Sequence, residues 1–455
     1  MKTGEAKQLE AWDKKYVWHP FTQMKEWRKD PIVVIERGQG NHLIDTRGRR
    51  YLDGVSSLWC NVHGHRVKAL DRAIKRQVGR IAHSTFLGLS NVPAITLARE
   101  LVRIAPKGLT KVFFSDSGAA SVEVALKMAY QYWSLSGHKE KRTFLKLRNA
   151  YHGDTLGSVS LGGIDIFHEI FHPLLFKTLS VDAPYRYRDT FRGNENEYAA
   201  HCAGKVEAVL KKHHSRVCAI VMEPLMQGAA GMLKQPTGYL KRVSMLAKKY
   251  NVLLIADEVA TGFGRTGRMF ACEHEKVTPD LLCLAKGITG GYLPLSATLT
   301  TDRIYRTFLG DYGEFKHFFH GHTYSANPLA ASVAVENLEL FRREKTIQKI
   351  QPKIRILAQE LEGIGRLPHV GDIRQAGLMA GIELVKDRKT KETYPLAEKR
   401  GMRVCARARK RGVMLRPLGN VIVLIPPLSI TQAETRNLCR VVKDCIENYD
   451  TDALK

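Results

Sequence analysis

The chain has 455 residues, 44% hydrophobic and 25% charged, with 37 Gly and 17 Pro. That composition excludes collagen-like, coiled-coil and disordered chains, and the length exceeds that of a single small binding module. Lys and Arg number 71 against 45 Asp and Glu, a net charge of +26 that favours anionic partners without specifying a fold.

The opening segment MKTGEAKQLEAWDKK has no apolar leader core, and no window reaches the roughly 18 apolar residues of a membrane span. The eight cysteines form no CxxC pair, and a chain of this size needs no disulfide staples. A cytoplasmic protein without a membrane partner is expected. The basic residues are spread over helical stretches such as 66–80 and 342–353, with no Lys/Arg block interleaved with aromatics. No nucleic-acid partner is expected either.

The first seventy residues carry short strands such as 41–45. Apolar runs bounded by turn residues then alternate with helical periodicity. The runs predict strands at 112–115, 143–147, 217–222, 252–256, 281–284 and 295–299, with helices at 121–134, 237–249 and 328–343. This is the pattern of an α/β protein with a mainly parallel, doubly wound sheet. Residues 185–197 are polar enough to form an exposed excursion. Past residue 345, short strands such as 421–425 return beside amphipathic helices. Residues 1–70 and 345–455 are therefore assigned to one smaller α+β domain, and 71–344 to the large domain.

The segment NVLLIADEVATGFGRTGRMF contains G-x-G-x-x-G at Gly262, Gly264 and Gly267. A dinucleotide fingerprint needs its glycines at the strand-to-helix turn, but five residues intervene here and no acid follows at the required distance. What stands out instead is Asp257 at the end of one buried strand and Lys286 just past the end of the next. Ligands of open α/β sheets bind beyond the carboxyl ends of the strands, so both side chains should enter one crevice. Taken alone, the pair is equally a structural ion pair or a surface lysine. Three further features accompany it. Ser117, Gly118 and Ala119 open a helix whose unpaired N–H groups and dipole suit a phosphate. Tyr151 offers a flat face for a ring, and Thr323 a hydroxyl for a phosphate oxygen. Each has an ordinary reading as cap, core or turn residue. Together they are the parts that hold pyridoxal 5′-phosphate: an amine for its aldehyde, a carboxylate for its pyridine nitrogen, a stacking ring and a phosphate seat.

The run LLIADEVATGFGRTG with the lysine of LAKGITGG resembles the class III aminotransferases, from WHPFTQM near Trp18 to RPLGNVIVLIPP around Arg416. The motifs SSLWCNVHGH, DSGAASVEVALKMAYQYW, YHGDTLGSVS and HGHTYSANPLA are similar to those of the biotin-synthesis branch of that class. The resemblance implies a fold-type I homodimer with active sites at the subunit interface. It makes Lys286 the Schiff-base lysine, Asp257 the pyridine partner and Tyr151 the stacking ring that also touches substrate. It places Ser117, Gly118 and Ala119 at the phosphate, with Gly321, His322 and Thr323 reaching it from the other subunit. Arg416 would bind a substrate carboxylate and Trp59 would line the path of an aliphatic chain. The implied reaction aminates the ketone of 8-amino-7-oxononanoate. The alternative is another class III reaction, on ornithine, 4-aminobutyrate or an ω-amino acid.

Three positions depart from relatives that take the amino group from S-adenosylmethionine. Phe21 stands where they carry Tyr, Leu58 where they carry Trp, and Val423 where they carry Tyr. Similar replacements occur in relatives that use L-lysine, so both donors stay open. His63, His65, His317, His320 and His322 have tempting spacings, but no Cys or carboxylate completes a shell and no metal is expected. Cys60 and Cys272 read as small buried hydrophobes.

Overall fold

The computed structural model describes residues 3–448. The helices Thr3–Tyr16 and Met24–Trp27 are followed by three antiparallel strands, β1 (Ile35–Gln39), β2 (His42–Asp45) and β3 (Arg50–Asp53). A two-residue strand from the other end of the chain, Val413–Met414, pairs in parallel with β3.

The central sheet has seven strands: β4 (Leu109–Ser115), β5 (Thr143–Leu147), β6 (Leu179–Val181), β7 (Val217–Met222), β8 (Leu253–Asp257), β9 (Leu281–Leu284) and β10 (Ser296–Thr301). Their spatial order is β4-β10-β9-β8-β7-β5-β6, and only β10 runs antiparallel to its neighbours. Every residue of β7, β8 and β9 is buried. Side-chain alternation sends Leu253, Ile255, Leu281 and Cys283 into a cluster with Trp133 and Leu126 of the helix Gly118–Leu135. Leu254, Ala256, Leu282 and Leu284 enter the main core on the opposite face. A strand apolar on both sides is what a sheet covered on both faces requires.

A third sheet is built around β11 (Val370–Ala376), β12 (Met379–Asp387) and β13 (Val421–Leu424). The helices Thr346–Gly365 and Gln432–Glu447 pack on one another beside it. Among the described residues no helix is long and apolar enough to cross a membrane.

The predicted strands and helices of the large sheet are present, with two differences. The short edge strand β6 was not predicted, because three residues carry no readable alternation. The excursion expected at 185–197 is partly docked: Arg188 and the Tyr185 hydroxyl both reach the Glu383 carboxylate of β12. Arg374 of β11 joins them, donating to the Tyr185 hydroxyl at 2.9 Å and to Glu383 at 2.6 Å. Polar residues here satisfy one another against a neighbouring sheet instead of facing water.

Candidate active site

A cavity of about 710 Å³ lies beyond the carboxyl ends of β4, β5, β7, β8 and β9, where an open α/β sheet places its ligands. Lys286, Asp257, Tyr151, Ser117, Gly118, Ala119 and Trp59 all line it.

Asp257 is the last residue of β8 and is 4% exposed. The Val259 N–H donates to its Oδ1 at 3.0 Å, and His152 Nδ1 lies 2.7 Å from Oδ2. An ionised carboxylate can only accept, so His152 carries its proton on Nδ1. Glu258, one residue on, points to the other side and accepts from the Ala271 and Cys272 N–H groups at 2.6 and 2.8 Å. The period of two along the strand thus separates a carboxylate for the cavity from one for the core.

Lys286 follows the end of β9 with φ +45°, in the left-handed region. For a residue with a Cβ that conformation costs about 1–3 kcal/mol and persists only where surrounding structure enforces it. Its Nζ lies 5.1 Å from the centroid of the Trp59 ring. Among the described residues no ion pair ties this amine to Asp257. Burial lowers the amine below its ordinary value, while Asp257 and Glu223 pull the other way.

At the far wall, Ser117 caps the helix Gly118–Leu135, its hydroxyl accepting from the Ala120 N–H at 3.2 Å. The unpaired amides and positive dipole end of that helix therefore border the cavity. Bulk is excluded here: a Cβ on Gly118 would fall 2.7 Å from Val259 Cγ1. Gly153 has φ +120°, and a Cβ there would fall 2.4 Å from that of Ala119. The Tyr151 hydroxyl donates to Asp154 Oδ2 at 2.8 Å, and burial together with that carboxylate raises the phenol.

Four functional groups escaped the sequence reading. His152 and Asp154 follow Tyr151 in the YHGD run. Glu223 follows β7 and accepts from the Gly228 N–H at 2.8 Å and the Tyr151 N–H at 3.2 Å. The signal was an acid directly after an apolar strand, the same that marked Asp257. Arg265, fully buried, donates to the Asn61 carbonyl at 2.6 Å and the Pro426 carbonyl at 2.7 Å. It thereby ties the segment that follows Trp59 to residue 426.

Gly321, His322, Thr323 and Arg416 do not line the cavity and are exposed in the single chain. His322 Nδ1 lies 2.9 Å from Oδ1 of Asp116, which borders the cavity. Cys272 is fully buried as expected. Cys60 is not: carried by the turn that presents Trp59, it lines the cavity. Phe21 and Leu58 are exposed, whereas Val423 is buried in an apolar cluster with Met226 and Met379 on which Trp59 packs. Gly262, Gly264 and Gly267 lie in successive turns that open no α-helix, unlike a dinucleotide turn. Of the histidines, His63 packs edge-on to Phe341, and His65 and His320 bond to Asn61 and Lys127. Among the described residues no group of three or more His, Cys, Asp or Glu could hold a metal ion.

The class III aminotransferase family model matches residues 23–446, and the chain belongs to that family. It is an aminotransferase, and the enzymes of this class depend on pyridoxal phosphate. The chain is 52% identical to the adenosylmethionine-8-amino-7-oxononanoate aminotransferase of Aquifex aeolicus, over 98% of this chain and 99% of that one. It is similar to the crystal structure of the Methanocaldococcus jannaschii protein of the same name, with TM-score 0.93, 49% identity and coverage of 98% and 99%. It is also similar to the omega transaminase of Pseudomonas jessenii in complex with PMP, with TM-score 0.93, 30% identity and coverage of 97% and 98%.

Burial pushes the Glu223 carboxyl from 4.5 to about 7. Its folded value lies above its unfolded one, so the stability it contributes is present below pH 4.5 and lost as pH rises through about 7. Thermal midpoints measured at pH 5 and pH 8 should fall less for Glu223→Gln than for the unmodified protein, by the equivalent of at most about 3 kcal/mol.

Proposed function

We propose that the protein transfers an amino group to the ketone of 8-amino-7-oxononanoate, giving 7,8-diaminononanoate in biotin synthesis. The observation that carries this is the pairing of Lys286 with Asp257 across one cavity, in a chain about half identical to relatives named for that reaction. The donor is S-adenosylmethionine, which those names contain. Val423 and Phe21, with no hydroxyl, favour a second reading, L-lysine.

The residues fit the cofactor. Ser117, Gly118 and Ala119 would hold its phosphate, Tyr151 its ring face, Asp257 its pyridine nitrogen and Lys286 its aldehyde carbon. Bound there, it supplies an electron-withdrawing ring that stabilises charge developing at the substrate carbon. The chain's own residues do the rest. The Lys286 amine, lowered by burial, takes and returns the proton at that carbon. Asp257, with Val259 N–H on one oxygen and His152 on the other, keeps a fixed negative charge in place. Tyr151, its proton directed at Asp154, presents lone pairs toward bound substrate. Trp59 excludes water along an aliphatic chain, and Arg416 takes the substrate carboxylate, as a planar fork suits.

The active form is a cytoplasmic homodimer. The partner subunit's Gly321, the partner's His322 and the partner's Thr323 complete the phosphate seat. Residues 1–70 and 345–455 would make up one smaller domain against 71–344, residues 1–2 and 449–455 lying outside the described residues.

Purified protein supplied with 8-amino-7-oxononanoate and either donor should form diaminononanoate; none with either would refute the substrate. Lys286→Ala should lower turnover at least about a thousandfold while the protein stays folded, because its task is covalent. Asp257→Asn should still bind the cofactor, seen as yellow absorbance, yet lose about a hundredfold or more in kcat. Undiminished turnover in either variant would remove the assigned role.

A further inference from the structure

The segment Ser56–Trp59 is wound against its own backbone preferences. Ser56, Ser57 and Trp59 have φ of +51°, +61° and +63°. Ser57, with ψ −72°, has the angles of the rare γ-turn whose central residue is left-handed. None of the three is glycine, so each carries a cost of about 1–3 kcal/mol that the surroundings must offset.

The surroundings are specific. Asp53, wholly buried at the end of β3, accepts from the Ser57 N–H at 2.7 Å and from the Ser57 hydroxyl at 2.9 Å. Both oxygens of one carboxylate are thus bound to the residue at the centre of the turn. His65 Nε2 lies 3.0 Å from Asp53 Oδ2, and its Nδ1 lies 3.1 Å from Asn61 Nδ2. An amide N–H donating to Nδ1 leaves the proton on Nε2, directed at Asp53. The Ser56 hydroxyl donates to the Ile425 carbonyl at 2.6 Å.

The product of this clamp is the pose of Trp59. Its ring stands 5.1 Å from Lys286 Nζ and against Gly228, where a Cβ would fall 2.9 Å from Cζ3. A relaxed turn would aim the indole elsewhere, since moving φ from the positive to the negative region turns the chain that follows onto another course. We propose that Asp53 and Ser57 are positioning residues, which hold Trp59 as the cavity wall and through it set which substrate chains the enzyme accepts. The inference rests on the reading of Trp59 as lining the substrate path.

The test uses holoenzyme labelled with 5-fluorotryptophan at the protein's five tryptophans, the Trp59 resonance being identified by its loss in Trp59→Phe. In Ser57→Ala the Trp59 fluorine signal should shift or split while the others stay in place. The KM for 8-amino-7-oxononanoate should rise about tenfold with kcat within about threefold. Asp53→Asn, which keeps the volume of the buried side chain, should do the same. In a Trp59→Ala background, adding Ser57→Ala should change KM by less than about twofold, because the clamp then has nothing to aim. A Trp59 signal unmoved in the folded variants, or the same KM change without the indole, overturns the proposal. Unmodified enzyme inert toward this substrate overturns the substrate reading instead, and the fluorine spectra still decide the clamp.

Discussion

The register between β8 and β9 constrains everything else in the site. Asp257 stands opposite Cys283 in the parallel pair, and Lys286 comes three residues after Cys283, just past the end of β9. A slip of one residue would exchange every side chain between faces. The core would then receive Asp257, and the cavity would receive Glu258 from its bonds to Ala271 and Cys272. What forbids the slip is apolar burial on both sides of the strands. Leu253 and Ile255 fill one core, and Leu254 and Ala256 fill the other. Hydrophobic packing several residues away therefore fixes the spacing of an acid and an amine.

Around that rigid centre the chain tolerates strain where it approaches the cavity. Lys286, Ser56, Ser57 and Trp59 hold backbones with positive φ. Gly118 and Gly153 permit contacts that a Cβ would block. Strands supply the fixed positions, and the loops between them supply the aim. Polar groups brought into this low-dielectric place are answered in pairs: His152 for Asp257, Asp154 for Tyr151, and the Gly228 and Tyr151 amides for Glu223.

Much of this was legible beforehand, for a physical reason. β7, β8 and β9 are continuous apolar runs, and such runs read as buried parallel strands. Charged residues that interrupt their ends, Asp257 and Lys286, announce themselves. The small residues after β4 mark a helix start. What stayed hidden depends on partners that only the fold brings together. Arg374 pairs with Glu383 and Tyr185, Asp53 with His65, and Arg265 with two carbonyls from opposite ends of the chain. None of these leaves a periodic trace. The short strand β6 and the docked turn at Arg186–Arg188 are set by neighbours, not by their own residues.

The buried guanidinium of Arg265 has a consequence for the order in which the molecule is made. It draws one carbonyl from Asn61 and one from Pro426, and Val413–Met414 completes the sheet that ends at Asp53. On a ribosome, the lysine, its acid and the helix that seats the phosphate have all emerged while the segment ending at Pro426 is still being synthesised. Until that segment appears, the guanidinium lacks one acceptor and the wall carrying the indole lacks its backing. The nascent chain can close its central sheet early, but it can acquire a finished pocket only after residue 426 has been made.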